Sequence, residues 1–372
     1  MRILFSAGPM HGHVNTMLPL ADAARRAGHD VVFATGPGLV EHVARHGHAT
    51  WTIGPSHAAA GGRAALSPEY FTATGTARAE DLVPRARAWR PDLVVHEEME
   101  LAGAVAAAVT GAHHVVHGLG LLPPRWVWDL FTPVVVDLGH RFGARLPIDP
   151  GAATYLRVSP PRLEAGGSVP TDDVRLIRPG FGMASPLDRM PEGLDDFVRS
   201  PGDPIVHLTL GTVFHESPGV MEAAIRGLRT LRIRLVVTTG PSVDPASFGP
   251  QPRNVRITPY VPHSLFLRRC AVVVSHAGAG IMFGALANGL PQLLLPQGAD
   301  QFANAAACRA AGAAVVLEPD EVTADAVALG AQRLLFSASF WASASRLRRD
   351  MAAMPSPGEV VADLVAHPAV AA

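Results

Sequence analysis

Short apolar runs alternate with helix-length amphipathic segments along the chain. RILFSA at 2–7 has the length of a buried strand, and the segment after it repeats apolar residues at three-to-four spacing up to Gly28, a C-cap residue. DVVFAT at 30–35, PDLVVHE at 91–97 and HHVVHG at 113–118 continue the alternation. Strands that alternate with helices predict an α/β fold in which helices cover both faces of a parallel sheet.

The alternation blurs between about Thr110 and Pro204 and then restarts with PIVHLTLG, IRLVVTTG, NVRITPY, AVVVSH and PQLLLP. Glycine and proline concentrate at 179–204, which is typical of an interdomain linker. A chain of 372 residues suits two domains of about 150–200 residues. We therefore predict domains at 1–190 and 204–350, and a C-terminal helix within 351–372 that packs back on the first domain.

Composition narrows the class of protein. Hydrophobic residues make up 48% and charged residues 17%, which is a globular composition. The formal charge is −1 and no block of lysine or arginine stands out, so nucleic acid and anionic membranes are not expected partners. The apolar stretch at 101–122 is interrupted by histidines and does not predict a membrane span. Cys270 and Cys308 lack metal-ligand spacing and are expected to be buried, reduced thiols of a cytoplasmic protein.

Candidate catalytic groups follow two of the predicted strands. His13 lies in the turn after the first strand, where an imidazole can act as a general base near neutral pH. Glu97 ends the strand PDLVVHE, where a carboxylate can orient a histidine and stabilise its imidazolium. The alternative for the histidine is a capping or packing role. For Glu98 and Glu100 we expect a solvated acidic turn.

The segment at 275–305 carries the strongest signal. A strand ends in His276 and the glycine-rich turn Gly278–Gly280, which opens a helix. Bare amides and the helix dipole at such a turn favour a diphosphate. Asp300 and Gln301 follow the next strand, and an Asp–Gln pair suits sugar hydroxyls because it both donates and accepts hydrogen bonds.

These motifs resemble those of GT-B-fold bacterial natural-product glycosyltransferases, the family of enediyne, macrolide and aromatic polyketide enzymes related to plant small-molecule glycosyltransferases. The resemblance covers nearly the whole chain, through HGHVN, PDLVVHE, LTLGT, YVPHSLFL, HAGAGI and PQGADQFANA. It implies two Rossmann-like parallel-sheet domains that face each other across a cleft, an N-terminal acceptor-binding domain and a C-terminal nucleotide-sugar-binding domain.

The resemblance also implies a reaction and its residues. His13 would be the general base and Glu97 its carboxylate partner, in an inverting transfer of a (deoxy)sugar from a TDP-sugar or UDP-sugar to a hydroxyl of a polyketide-like or other natural-product acceptor. No cofactor and no metal are expected, and the protein would be a monomer or homodimer. The resemblance assigns donor binding to Gly211, Thr212, Tyr260, Val261, His263, His276, Gly278, Ala279, Gly280, Asp300 and Gln301.

Four residues of the first domain are candidates for acceptor contact, namely Met10, His11, His117 and Trp126. Its other large aromatic residues are core by default, and some of them are expected to line an apolar acceptor pocket. Compared with the family, Glu97 stands where aspartate is usual and His263 where glutamine is usual. The extra methylene of Glu97 is expected to preserve its role with a shifted geometry.

Three other functions are alternatives for this sequence. A dinucleotide-dependent oxidoreductase is disfavoured because the first turn lacks GxGxxG and the second strand ends in Ala34 and Thr35, with no acidic residue for a ribose. A non-catalytic sugar-nucleotide-binding helper would have no need for His13 and Glu97. An NDP-sugar isomerase on the same fold would convert the donor without an acceptor.

Overall fold

The computed structural model describes all residues except 56–67, 145–147, 165, 182–184, 186, 212–217, 241–242 and 368–372. The chain divides into two compact units. The first comprises Met1–Pro160, Gly166–Gly180 and the chain from Ala353 onward, and the second comprises Pro161–Ala165 and Phe181–Ala352.

The first unit is a seven-stranded parallel sheet of order β3-β2-β1-β4-β5-β6-β7. Its strands are β1 (Arg2–Ser6), β2 (Asp30–Thr35), β3 (Ala49–Thr52), β4 (Leu93–Glu97), β5 (His113–His117), β6 (Thr154–Arg157) and β7 (Val174–Leu176). Its helices are α1 (His11–Arg26), α2 (Pro37–Arg45), α3 (Pro68–Trp89), α4 (Leu101–Thr110), α5 (Arg125–Arg141) and the C-terminal α12 (Pro357–Ala366). Apolar cores lie on both faces of this sheet, as expected when helices cover both.

The second unit is a six-stranded parallel sheet of order β10-β9-β8-β11-β12-β13. Its strands are β8 (Ile205–Thr209), β9 (Arg234–Thr238), β10 (Val255–Thr258), β11 (Cys270–Ser275), β12 (Gln292–Leu294) and β13 (Ala314–Val316). Its helices are α6 (Leu194–Arg199), α7 (Pro218–Leu228), α8 (Ala279–Ala287), α9 (Gln301–Ala310), α10 (Ala324–Phe336) and α11 (Ala338–Ala352). This sheet also has a buried core on each face.

The two sheets have the same winding. In each, the chain begins at an inner strand, adds strands towards one edge, and then returns to the other side of that first strand. The order reverses between β1 and β4 in the first unit and between β8 and β11 in the second. Ligands of open parallel sheets bind beyond the carboxyl ends of the strands at such a switch point. The topology therefore marks one candidate site in each unit.

The predicted α/β class with parallel sheets is confirmed, but the unit boundaries differ from the predicted ones. The segment at 181–190 belongs to the second unit rather than the first. The stretch read as a linker contains α6, and its Leu194 and Val198 are buried in the second core. The weakly patterned region before it contains β6 and β7, which have only four and three residues. Their sequences, TYLR and VRL, mix polar and apolar residues and so contain no apolar run.

The C-terminal helix α12 is part of the first core, where Val360, Val361 and Leu364 are buried with residues of α1. Among the described residues, no helix is long and apolar enough to cross a membrane. Cys270 and Cys308 are buried and free, and burial raises the pKa of both thiols, to about 12 for Cys308.

Candidate functional site

The switch point of the first unit brings His13 and Glu97 together. Ser6 of β1 pairs with His96 of β4, so the turn after β1 and the tip of β4 lie side by side. His13 is in the first turn of α1, and its ring Nδ1 lies 2.8 Å from Oε1 of Glu97. The carboxylate is fully buried, whereas the imidazole keeps 15% of its surface exposed. The histidine can thus meet a ligand while its partner is sealed from water.

Backbone amides fix both oxygens of Glu97. The N–H of Gly8 donates to Oε1 at 3.0 Å and the N–H of Met99 donates to Oε2 at 2.6 Å. Burial alone would raise the pKa of Glu97, but the charge of His13 and these hydrogen bonds outweigh burial and lower that pKa. An ionised carboxylate can only accept, so His13 donates from Nδ1 and the lone pair of its neutral ring lies on Nε2.

Gly8 leaves the space that this pair occupies. A Cβ at position 8 would stand 3.2 Å from Oε1 of Glu97 and 3.4 Å from Nδ1 of His13, with Cε of Met10 at 3.6 Å. Met10 is therefore beside the pair, although its side chain is buried. His11 packs edge-on against His42 with ring centroids 5.0 Å apart, and burial lowers its pKa.

The other two predicted acceptor residues are in different environments. His117 pairs with Glu97 in the register of β4 and β5, is buried, and donates from Nδ1 to the carbonyl of Gly118 at 2.7 Å. Burial lowers its pKa to about 4, so the ring is neutral. Trp126 on α5 is 60% exposed. The structure brings His117 next to Glu97 and leaves Trp126 on the surface of its unit.

The expectation of a solvated acidic turn after Glu97 is wrong. Glu98 is buried and accepts hydrogen bonds from the hydroxyl of Tyr155 and the N–H of Leu119. Burial raises the pKa of Glu98 to about 7. Glu100 is buried too and forms an ion pair with Arg78. Their partners come from segments far away in sequence, so the local pattern gave no sign of burial.

A cavity of about 40 Å³ lies beside the carboxyl group of Glu98 in the first unit. Its lining is mostly apolar and includes Trp128 and Phe131 of α5 and Tyr155 of β6, together with Glu98. Two large aromatic residues of the first domain, Trp128 and Phe131, thus line an apolar cavity, and its use by the acceptor stays a prediction. Trp51 and Trp89 instead pack edge-on against each other at the core.

The switch point of the second unit is built around His276. Gly211 follows β8 with a φ of +77°, and a Cβ there would come within 2.6 Å of Cε1 of His276. Gly278 is equally constrained, because its Cβ would meet Nε2 of the same ring at 2.3 Å. Burial lowers the pKa of His276 to about 4, so the ring is neutral near pH 7. Thr212 lies outside the described residues.

The turn after His276 has a strained backbone that a hydrogen bond from another helix holds in place. Ala277 has a left-handed φ of +66°, which costs a non-glycine residue roughly 1–2 kcal/mol. The side-chain amide of Asn304 donates to the carbonyl of Ala277 at 2.9 Å and to Oδ2 of Asp300 at 2.8 Å. Gly278 then caps α8, so the first amides of that helix, from Ala279 and Gly280, have no helical acceptor. Asn304 was not singled out from the sequence, although it lies in the PQGADQFANA motif.

Asp300 and Gln301 have different surroundings. Asp300 is exposed at the start of α9. Gln301 is buried, and its Oε1 accepts hydrogen bonds from the N–H of Gln297 at 2.8 Å and of Gly298 at 3.2 Å. The Gln301 side chain therefore holds the loop that presents Asp300.

The donor-binding residues predicted at 260–263 do not share one environment. Tyr260 is 43% exposed, whereas Val261 is buried in the core. Burial lowers the pKa of His263 to about 4, and its ring packs edge-on against His207 with centroids 5.3 Å apart. Across the described ranges, no group of three or more His, Cys, Asp or Glu residues could hold a metal ion. Metal independence stays a prediction.

Comparison with known proteins finds two family profiles in this chain. The N-terminal domain of erythromycin biosynthesis protein CIII-like proteins matches residues 60–153, and the C-terminal domain of the same family matches residues 234–367. The 10-deoxymethynolide desosaminyltransferase of Streptomyces venezuelae is 30% identical over 98% of this chain and 96% of its own length.

Two solved structures show the same architecture. Spinosyn forosaminyltransferase SpnP is 27% identical and superposes with a TM-score of 0.83, covering 100% of both chains. Glycosyltransferase VinC, solved in complex with DTDP, is 27% identical with a TM-score of 0.81, covering 98% of this chain and 99% of its own. The GT-B fold expected from the motifs is confirmed by these structures.

Proposed function

This chain belongs to the EryCIII-like family of glycosyltransferases, and on that premise we propose that it moves a deoxysugar from a TDP-sugar to a hydroxyl of a small natural product with inversion. The observation that carries the proposal is the hydrogen-bonded His13–Glu97 pair at the switch point of the first unit. A glycosyltransferase of this kind needs one group that removes a proton from the acceptor hydroxyl.

The proton has a defined path in this proposal. Nε2 of His13 takes it from the acceptor hydroxyl as the oxygen bonds to the anomeric carbon, and the carbon–oxygen bond to the diphosphate breaks. The electron pair leaves with the diphosphate, and attack opposite to the leaving group inverts the anomeric centre. Glu97 stays ionised because three hydrogen bonds and the His13 charge favour its charged form, so it stabilises the imidazolium that forms.

The second unit is proposed to bind the leaving diphosphate. Its negative charge would be met by the free amides at the start of α8 and by the dipole of that helix. His276 is neutral before binding and would donate a hydrogen bond from its ring. Gly211 and Gly278 keep side chains away from that ring, so it can approach a phosphate closely. None of these roles requires a metal ion.

The identity of the donor rests on similar proteins. VinC was solved with DTDP, and the desosaminyltransferase is named for a deoxysugar that it transfers. We assign sugar binding to Asp300, because its carboxylate is exposed and held by Asn304. Gln301 supports the loop and contributes at most its amide N–H groups.

The acceptor is proposed to be an apolar natural product, because similar enzymes are named for macrolide and anthracycline acceptors. The cavity beside Trp128 and Phe131 offers room for one small alkyl branch of such a molecule. A ring system would have to lie outside it.

The proposal is tested with a donor panel. TDP, UDP, a TDP-deoxysugar and a UDP-hexose are compared by thermal shift, because a ligand that binds only the folded state raises the melting temperature. TDP-linked ligands at 100 times their dissociation constant are expected to stabilise by about 2.7 kcal/mol, a rise of about 5 °C. A larger shift with the UDP ligands would contradict the TDP assignment.

The donor that binds is then incubated with macrolide and anthracycline aglycones and, separately, alone. Glycosylated aglycone with an inverted anomeric centre supports the proposal. Epimerised donor in the incubation without acceptor would support the isomerase instead. Asp300→Ala is expected to weaken the TDP-sugar about tenfold and TDP itself much less, since a hydrogen bond to a charged group contributes about 1.5–3 kcal/mol. Equal weakening of both ligands in calorimetry would remove Asp300 from sugar binding.

A further inference from the structure

Arg78 of α3 is a buried cation whose guanidinium reaches three segments of the first unit. It forms an ion pair with Glu100, the residue that caps α4. It also donates to the carbonyl of Ala7 at 2.6 Å and to that of Ile53 at 3.4 Å. Arg78 is 3% exposed, so these bonds are made away from water.

One peptide group connects this ion pair to the His13–Glu97 pair. The carbonyl of Ala7 accepts from Arg78, and the N–H of the same peptide, on Gly8, donates to Oε1 of Glu97 at 3.0 Å. That oxygen also accepts from Nδ1 of His13. A continuous chain of hydrogen bonds therefore runs from Glu100 through Arg78 and the Ala7–Gly8 peptide to the imidazole.

The absence of a side chain at Gly54 leaves space for Arg78. Gly54 has a φ of +65°, and a Cβ at that position would lie 2.3 Å from Cγ of Arg78. The N–H of Gly54 is itself held by Asp81, one turn beyond Arg78 on the same helix. A larger residue at 54 would force the guanidinium away from the Ala7 carbonyl.

We propose that Arg78 is a positioning residue for the proposed base: by holding the Ala7 carbonyl it aligns and polarises the Gly8 N–H that fixes Glu97 beside His13. This inference rests on the proposed role of His13. A cation on the carbonyl end of a peptide strengthens donation from its N–H end, because hydrogen bonds in a chain polarise one another. Glu100 keeps the buried cation neutralised and so allows it to stay there.

The test separates positioning from fold stability. Arg78→Met combined with Glu100→Gln removes both charges of the buried pair at once, so the net charge near His13 is unchanged, and Gln can still cap α4. The Gly8 N–H then donates less strongly, Glu97 keeps more negative charge, and the titration midpoint of the His13 ring is expected to rise by about 0.5 pH unit. The midpoint is read by NMR of protein with 13Cε1-labelled histidine and no ligand, with His13→Gln to assign the signal.

Arg85→Met is the matched control. Arg85 lies two turns along the same face of α3 and donates to the carbonyl of Thr52 at 3.1 Å, but does not touch Ala7. Its replacement is expected to leave the His13 midpoint unchanged. Arg78→Lys keeps the charge but has no planar fork to reach three acceptors, and its midpoint is expected to lie between those of the wild type and the double variant.

A His13 midpoint in the double variant that equals or falls below that of the wild type would overturn the proposal. If the double variant does not fold, as judged by its circular dichroism, Arg78→Lys carries the test with the same criterion. No substrate is present in this experiment. Its outcome is therefore independent of whether His13 is the base, which turnover of His13→Ala decides separately.

Discussion

The two units share one winding but equip their switch points differently. Gly8 and Gly211 each lie two residues beyond the first strand of their sheet, and both leave room for a side chain at the carboxyl end of the neighbouring strand. In the first unit that neighbour is the carboxylate of Glu97, and in the second it is the imidazole of His276. A glycine at the equivalent position thus leaves room for the proposed acid–base pair in one unit and for the proposed anion site in the other.

The partner of each histidine decides what it can do. His13 is hydrogen-bonded to a buried carboxylate whose pKa is lowered, so a proton arriving on its ring is stabilised. No carboxylate bonds to His276 among the described residues, and burial holds its pKa at about 4. A neutral ring suits an anion site, since it can donate a hydrogen bond without first attracting other anions. The sheet topology places a histidine at each switch point, and the presence or absence of a bonded carboxylate decides whether that histidine is readily protonated.

The largest effect is expected on removal of the proposed base, which tests whether the two histidines differ in function. His13→Ala is expected to lower turnover by about 10²–10⁴-fold, the usual contribution of a general base. Its affinity for TDP should stay as in the wild type, because the proposed diphosphate site is in the second unit. Initial rates and calorimetry measure the two quantities. The exposed His140→Ala serves as control, and undiminished turnover of His13→Ala would remove His13 from the mechanism.

The second prediction concerns the carboxyl group next to Glu97. The folded-state pKa of Glu98 is about 7, above its ordinary value of 4.5. The folded state therefore loses stability as the pH rises from 4.5 to 7, because the unfolded chain ionises this group more readily. Glu98→Gln removes that loss. The free energy of unfolding of the first unit is therefore compared between variant and wild type. Their difference should shift in favour of the variant by about 3 kcal/mol as the pH rises from 4 to 8, since one pKa unit corresponds to 1.36 kcal/mol.

Urea unfolding followed by tryptophan fluorescence measures this gain. In a Trp341→Phe background all remaining tryptophans belong to the first unit, so the signal reports on that unit alone. Parallel pH profiles for Glu98→Gln and its background would show that Glu98 titrates like an exposed carboxyl group.

The smallest expected effect lies in the second unit. Gly278→Ala places a Cβ 2.3 Å from Nε2 of His276 and must displace that ring. TDP affinity is expected to fall about tenfold, as for the loss of one hydrogen bond to a charged group. Gly219→Ala on α7, whose Cβ would meet no atom within 4 Å, is the control. Unchanged calorimetric affinity in Gly278→Ala would show that His276 does not contact the diphosphate.

Much of the fold followed from the apolar pattern, because β2 and β4 contain runs of four and three consecutive apolar residues. The placement of His13 near Glu97 followed from rules for parallel sheets and from family motifs. The linker was misjudged because its prolines and glycines hide the two apolar residues, Leu194 and Val198, that anchor α6.

The surroundings of the site were less accessible from sequence. Glu98 and Glu100 looked like a solvated turn because burial of a charge depends on its partner, and Tyr155 and Arg78 lie in other segments. Asn304 was overlooked for a related reason. Its value comes from the strained Ala277 that it holds, and a left-handed alanine leaves no mark on the sequence.

The position of α12 in the first core has a consequence for synthesis of the protein. Val360, Val361 and Leu364 complete a core begun by residues of β1 and α1. Arg175 of β7 also forms an ion pair with Asp363 of this helix. During synthesis, the whole sequence of the second unit is made before α12. The first unit is begun earlier, but its apolar core stays incomplete and exposed until α12 has been made. Order of folding is therefore expected to run opposite to order of translation, which makes the nascent first unit the natural client of chaperones.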